Sequence, residues 1–178
     1  MTEKLIEEGI NNLGDFIERS LTKYADNEAF SCLGQTLTFA QIDVKSKALA
    51  SWLQHSSGLQ QGDRIAIQLP NLAQYPIAVY AALRAGFIIV NTNPLYTPRE
   101  MQHQFKDSGA KALVILADLL PKYEQIKSNT DIETVIITGA ADLLTGESPV
   151  VEGCIALNAA IETGEKQQLD PRECADID

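Results

Sequence analysis

The stretch Gly62–Ile115, GDRIAIQLPNLAQYPIAVYAALRAGFIIVNTNPLYTPREMQHQFKDSGAKALVI, decides the fold. Arg64–Leu69 (RIAIQL) is a short β-branched run behind the turn signal Gly62-Asp63. Phe87–Val90 (FIIV) and Lys111–Leu116 (KALVIL) are apolar runs of strand length. Two helix-like segments separate them. The first, PIAVYAALRA, is apolar nearly all round, which predicts a buried helix with Pro76 in its first turn and Gly86 just past its end. Thr97, Pro98 and Glu100 suit the N-cap, N1 and N3 positions of the second, which Gly109 closes. Strands apolar on both faces, alternating with helices, imply a parallel sheet covered on each side, its crossovers right-handed.

The same pattern extends outward. A helix near Leu119–Ile126 and a strand at Thr134–Ile137 (TVII) follow downstream. Upstream, Leu13, Phe16, Ile17, Ser20, Leu21 and Tyr24 make one stripe at helical period over Asn12–Tyr24, with Asn11 or Asn12 as cap. EAFSCL and TLTF flank Gly34-Gln35, and glycine first suits a type II′ hairpin turn. Thr38 and Gln41 then form a capping box, with Leu37 and Ile42 at the staple positions. Ile42, Leu49, Trp52 and Leu53 carry that helix to a stop at His55–Gly58. After Gly139 the chain turns polar and acidic, with at most a short helix around Leu157–Glu162. The expected division is an α/β subdomain over 1–139 and an acidic connecting segment over 140–178, leading toward a part absent from these residues.

Charge narrows the partners. The net charge of −10 over 178 residues is uneven: Met1–Ala117 carry 10 basic and 11 acidic side chains, Asp118–Asp178 carry 4 and 13. Phosphate contacts need clustered Lys and Arg, so nucleic acid is excluded, as is a polybasic membrane anchor. No apolar run reaches the roughly 20 residues that span a bilayer, and MTEKLIEEG lacks the pattern of a secretory signal. The expected location is cytoplasmic. Cys32, Cys154 and Cys174 show no metal-type spacing, and Cys32 reads as a buried free thiol.

Ligands of parallel α/β sheets bind beyond the carboxyl ends of the strands. Pro70-Asn71 and Asn91-Thr92-Asn93 fall there, either as hydrogen-bonding groups for a ligand or, the favoured reading, with Asn71 capping a helix and Asn91–Asn93 shaping a turn. Neither GxGxxG nor GxxxxGK[ST] occurs. His103 reads as a surface residue and Glu7-Glu8 as a charged segment. Arg84 interrupts an apolar helix, either to meet a buried anion or, the favoured reading, to snorkel at the helix C-terminus.

Taken together, Gly62–Ile115, YADNEAF at Tyr24–Phe30 and LTFAQID at Leu37–Asp43 resemble the adenylate-forming enzymes, over about residues 10–140. LPNLAQYP at Leu69–Pro76 and NPLYTPRE at Asn93–Glu100 are most similar to the bacterial long-chain fatty acyl-CoA synthetases. The fold class expected is therefore α/β: a mostly parallel sheet with helices on both faces, plus an N-terminal helix and hairpin, forming part of an adenylate-forming enzyme's N-terminal domain. The resemblance implies a ligase using a fatty acid, ATP, magnesium and coenzyme A, with peripheral contact at the inner membrane as a further location. It also implies a Ser/Thr/Gly-rich phosphate loop after Asp170–Asp178, so these residues alone are expected to be inactive. No catalytic, cofactor-binding or metal-binding residue is carried onto this chain. A dimer through an exposed apolar face is expected of it in isolation. The alternatives are a stand-alone doubly wound binding or interaction module, and a ligase for aromatic or amino acids.

Overall fold

The computed structural model describes residue 10 and residues 12–171; Asn11, Glu7-Glu8 and Cys174 lie outside the described residues. Helix α1 (Leu13–Lys23) starts at Asn12, whose Oδ1 accepts from the Asp15 amide at 2.9 Å. Only half of its stripe is used. Ile17 and Leu21 are buried, whereas Leu13, Phe16 and Tyr24 remain exposed.

Strands β1 (Glu28–Cys32) and β2 (Gln35–Thr38) form the expected antiparallel hairpin, but not the expected turn. Cys32 pairs with Gln35, which leaves Leu33 and Gly34 at the centre with φ of +52° and +79°. Two positive φ values define a type I′ turn, whose twist matches that of the strands. Glycine takes the second position freely, while Leu33 accepts the left-handed region at a steric cost of about 1 kcal/mol.

Helix α2 (Phe39–His55) opens with the complete capping box: Gln41 N donates to Thr38 Oγ1 at 3.2 Å and Thr38 N to Gln41 Oε1 at 2.9 Å. The strand–helix alternation follows as β3 (Arg64–Gln68), α3 (Gln74–Arg84), β4 (Ile88–Asn91), α4 (Pro98–Ser108), β5 (Ala112–Leu116), α5 (Leu120–Glu124) and β6 (Thr134–Thr138). Helix α4 keeps its expected start, and Gly109 ends it at φ +63° in the left-handed region.

Past Gly139, expected to be an acidic connecting segment with at most a short helix around Leu157–Glu162, that helix is present and further elements join it in the sheet fold. Helix α6 (Asp142–Thr145), strand β7 (Ile155–Ala156) and helix α7 (Leu157–Gly164) belong to the same fold. β7 pairs in parallel with β6 through Ile136–Ile155 and Ile137–Ala156. A two-residue strand amid polar sequence carries almost no periodic signal, which is why the pattern hid it. Gly164 lets α7 settle on α2, since a Cβ there would lie 1.9 Å from the Ala48 carbonyl oxygen. Residues beyond α7 run back along α2. Gln54 and Asp170 exchange reciprocal bonds at 3.1 and 2.9 Å, and His55 Nε2 lies 2.8 Å from Gln168 O.

The five strands are parallel in the order β4-β3-β5-β6-β7. Ile65, Ile67, Val114 and Ile136 face α2, α3 and α7, whereas Ala66, Leu113, Ile115 and Ile137 face α4 and α5. Period-two alternation thus buries both sides of the sheet. β4 departs from the expectation of a strand covered on both faces: it is the sheet's edge, and Ile88 is 49% exposed. Cys32, expected to be buried, is half-buried beside the Asn71 carbonyl, because its strand lies in the separate two-stranded sheet.

Candidate functional site

From β3 the chain winds first to β4 and then back past β3 to β5, with α3 and α4 on opposite faces. The carboxyl ends of β3 and β5 therefore flank a topological switch point, the usual seat of ligands in such sheets. The structure gathers one of the two candidate segments there. Thr92 N donates to Ile67 O at 3.0 Å, continuing the ladder beyond β4. Gln68, fully buried at the end of β3, donates from Nε2 to Asn93 O at 3.1 Å. Asn93 Oδ1 accepts from Leu95 N at 2.9 Å, and Lys122 Nζ donates to Tyr96 O at 3.2 Å. Asn91 Oδ1 accepts from the Tyr75 hydroxyl at 2.8 Å, and its carbonyl accepts from Gln104 Nε2 at 2.9 Å. The segment Asn91–Asn93 is thus a turn whose polar groups bond to the protein itself.

Asn71 is not the cap its position predicted. Helix α3 begins after Ala73 without a side-chain cap, and the Asn71 carbonyl accepts from Cys32 Sγ. The rest of that segment leads up to the helix without joining the Asn93 turn. Gln68, which ties β3 to that turn, carried no signal in sequence beyond being a polar residue at the end of an apolar strand. His103 is exposed on α4, as expected. Burial pushes the Cys154 thiol above its ordinary value, the opposite of what activates a nucleophile.

The snorkelling reading of Arg84 is overturned. Its side chain is 3% exposed, and Nε lies 2.6 Å from Glu18 Oε1. Nη1 donates to Asp43 O and Ser46 Oγ at 2.9 and 2.8 Å, and Nη2 donates to Glu18 Oε2 at 2.9 Å and to Asp43 Oδ1. The charge that interrupts an apolar helix meets two carboxylates from α1 and α2. That the helix held a misplaced cation was visible in sequence; partners 41 and 66 positions away were not. A cavity of about 520 Å³ beside this joint is bordered by Asp15, Glu18, Asp43 and Asp170 together with Lys47 and Arg84.

Among the described residues no group of three or more His, Cys, Asp or Glu is placed to hold a metal ion.

Doubly wound sheet, switch point and hairpin together define an α/β unit with a separate two-stranded sheet beside it. Solved structures share this architecture. An anthranilate CoA ligase in complex with anthranoyl-AMP superposes with a TM-score of 0.76 at 24% identity, over 89% of this chain and 29% of its own. A long-chain-fatty-acid-CoA ligase from Archaeoglobus fulgidus gives 0.73 at 23%, over 90% and 32%. Sequence then fixes the group: the chain belongs to the AMP-binding enzymes, whose family model matches residues 17–175. It is 46% identical over 134 residues to the long-chain-fatty-acid--CoA ligase of Escherichia coli O6:H1 (strain CFT073), covering 75% of this chain. It is 38% identical over 132 residues to that of Bacillus subtilis (strain 168), covering 74%. The chain spans only about a quarter of the length of these relatives, 24% and 23%.

Proposed function

We propose that this chain is the N-terminal scaffold of an ATP-dependent long-chain fatty acid–CoA ligase. In that reaction a fatty acid carboxylate attacks the α-phosphate of ATP, forming acyl-adenylate and releasing pyrophosphate. The thiol of coenzyme A then displaces AMP and leaves an acyl thioester. The carrying observation is the 46% identity along 134 residues to a protein of that name. The geometry supports a scaffold role for this portion. Its Asn93 turn is held by bonds from Gln68 Nε2 and Leu95 N, its Arg84 is consumed by carboxylates, and its sequence holds neither GxGxxG nor GxxxxGK[ST]. The segment that follows α7 leads, on this reading, toward the part that binds ATP, and the 178 residues alone are inactive.

The whole protein acts in the cytoplasm, with peripheral contact at the inner membrane from which a fatty acid partitions. No helix among the described residues is long and apolar enough to cross a membrane. The test is pyrophosphate exchange with ATP, followed by thioester formation with coenzyme A, in the longer protein. Activity with long-chain fatty acids and not with benzoate or amino acids is expected. Exchange driven only by an aromatic or amino acid refutes the substrate class. Exchange by the 178-residue chain alone refutes the scaffold role.

A further inference from the structure

We infer that α1 lays the unburied half of its apolar stripe onto a lipid bilayer carrying anionic headgroups, with the helix axis along the surface. This rests on the reading of the chain as part of a fatty acid ligase, and it assigns the peripheral contact proposed above to one helix. Three observations carry it.

The first is the stripe itself. Leu13, Phe16 and Tyr24 are 53%, 46% and 41% exposed, although Ile17 and Leu21 of the same helix are buried in the core. At the period of an α-helix, Phe16, Ser20, Leu13 and Tyr24 follow one another round about a quarter of its circumference, beside the buried pair. Tyr24 also meets Phe39, with ring centroids 6.0 Å apart, so the apolar surface continues onto the start of α2. Leucine and aromatic side chains on one side of an amphipathic helix are the makeup of a helix that lies in the bilayer interface.

The second is the placing of charge. Lys23 borders the stripe, and its Nζ lies 5.1 Å from the centre of the Tyr24 ring, so a cation stands at the rim of the apolar surface. Going round the helix away from the stripe, Lys23 and Arg19 come before Asp15. The carboxylates of α1 serve another side: Glu18 binds Arg84, and Asp15 borders the cavity at that joint. Asp26 and Glu28 belong to the turn and to β1, beyond the end of the helix. No acidic residue therefore interrupts the stripe.

The third is size. Three half-exposed side chains fall far short of the roughly 20–30 residues a side that a specific protein interface uses. A shallow interfacial helix needs only its own stripe and a cation at headgroup level. The surface thus fits a bilayer better than a second copy.

Co-sedimentation with vesicles of phosphatidylcholine, alone or mixed with phosphatidylglycerol, tests this in the 178-residue chain and in the longer protein. Both should bind the mixed vesicles more tightly. Phe16→Ser should weaken that binding about fivefold to tenfold, the value of half a buried phenylalanine. Lys23→Gln should weaken it about fivefold at low salt and much less at high salt. Val150→Ser, at a residue 96% exposed elsewhere on the molecule, should leave it unchanged. Leu13→Ser repeats the test on the same stripe if Phe16→Ser lowers the melting temperature. Absent binding, equal binding to both vesicle types, or equal weakening by Val150→Ser overturns the proposal. A concentration-dependent dimer that Phe16→Ser abolishes also overturns it, by giving the stripe to a second copy. The longer protein's ligase assay separates the two readings. Activity without vesicle binding defeats only this inference, and vesicle binding without activity defeats only the proposed reaction.

Discussion

The two faces of the sheet are built by different means. On the face covered by α4 and α5, the decisive interactions are local. Thr97 and Glu100 start α4 through bonds three residues apart, and Gly109 closes it. On the face covered by α2, α3 and α7, they are distant in sequence. Arg84 joins three helices, Gly164 lies against Ala48, and Gln54 reaches Asp170 across 116 positions. A helix start can be repaired or frayed by itself, whereas a joint between distant segments fails for all of them at once.

Gly164→Ala should have the largest effect, because the new methyl meets a backbone carbonyl that cannot move without shifting α2. About 3 kcal/mol should be lost in urea unfolding, at the upper end of the usual cost of overpacking. Arg84→Met should follow at about 2 kcal/mol. Removing a buried partner costs more than that, but Glu18 and Asp43 are 54% and 41% exposed and recover much of their hydration. Thr97→Ala should cost about 1 kcal/mol, the ordinary value of an N-cap. If Thr97→Ala proves as costly as Gly164→Ala, the contrast between the faces collapses.

The smallest effect is set by pH. Hydrogen bonds from the Thr97 backbone and side chain hold the Glu100 carboxyl below its ordinary value. A carboxylate with a depressed folded pKa stabilises above its unfolded pKa, and that contribution disappears as pH falls through the folded value. The start of α4 should therefore loosen in acid, below the ordinary carboxylate range, and not between pH 6 and 8. Glu100→Gln should flatten this dependence, read as amide exchange in the first turn of α4 against pH. An unchanged acid profile in that variant would mean another group is responsible.

This division also explains what the sequence disclosed. The capping boxes at Thr38 and Thr97 and the strands Arg64–Gln68, Ala112–Leu116 and Thr134–Thr138 are encoded within a few residues, and they were legible. The hairpin was legible as a hairpin but not in its turn. The choice between Gly34-Gln35 and Leu33-Gly34 depends on register, which the alternation of such a short strand does not determine. A short helix at the place of α7 was legible, whereas β7 was hidden because what stabilises it is its pairing with β6, not its own periodicity. At the candidate site, Asn91–Asn93 stood out as turn-forming residues, whereas the amide of Gln68 that binds the turn became visible only once β3 was folded beside it.

The contact between α7 and α2 has a consequence for synthesis. Ribosomes add about 5–20 residues per second. The 116 positions that separate Gln54 from Asp170 therefore take roughly 6–23 seconds to make. Throughout that interval the side of α2 that later receives Gly164 has no partner, and Trp52, which lies against that glycine, stands uncovered. The nascent chain therefore carries an unpartnered side of α2 for that time, a surface on which a holdase chaperone could act.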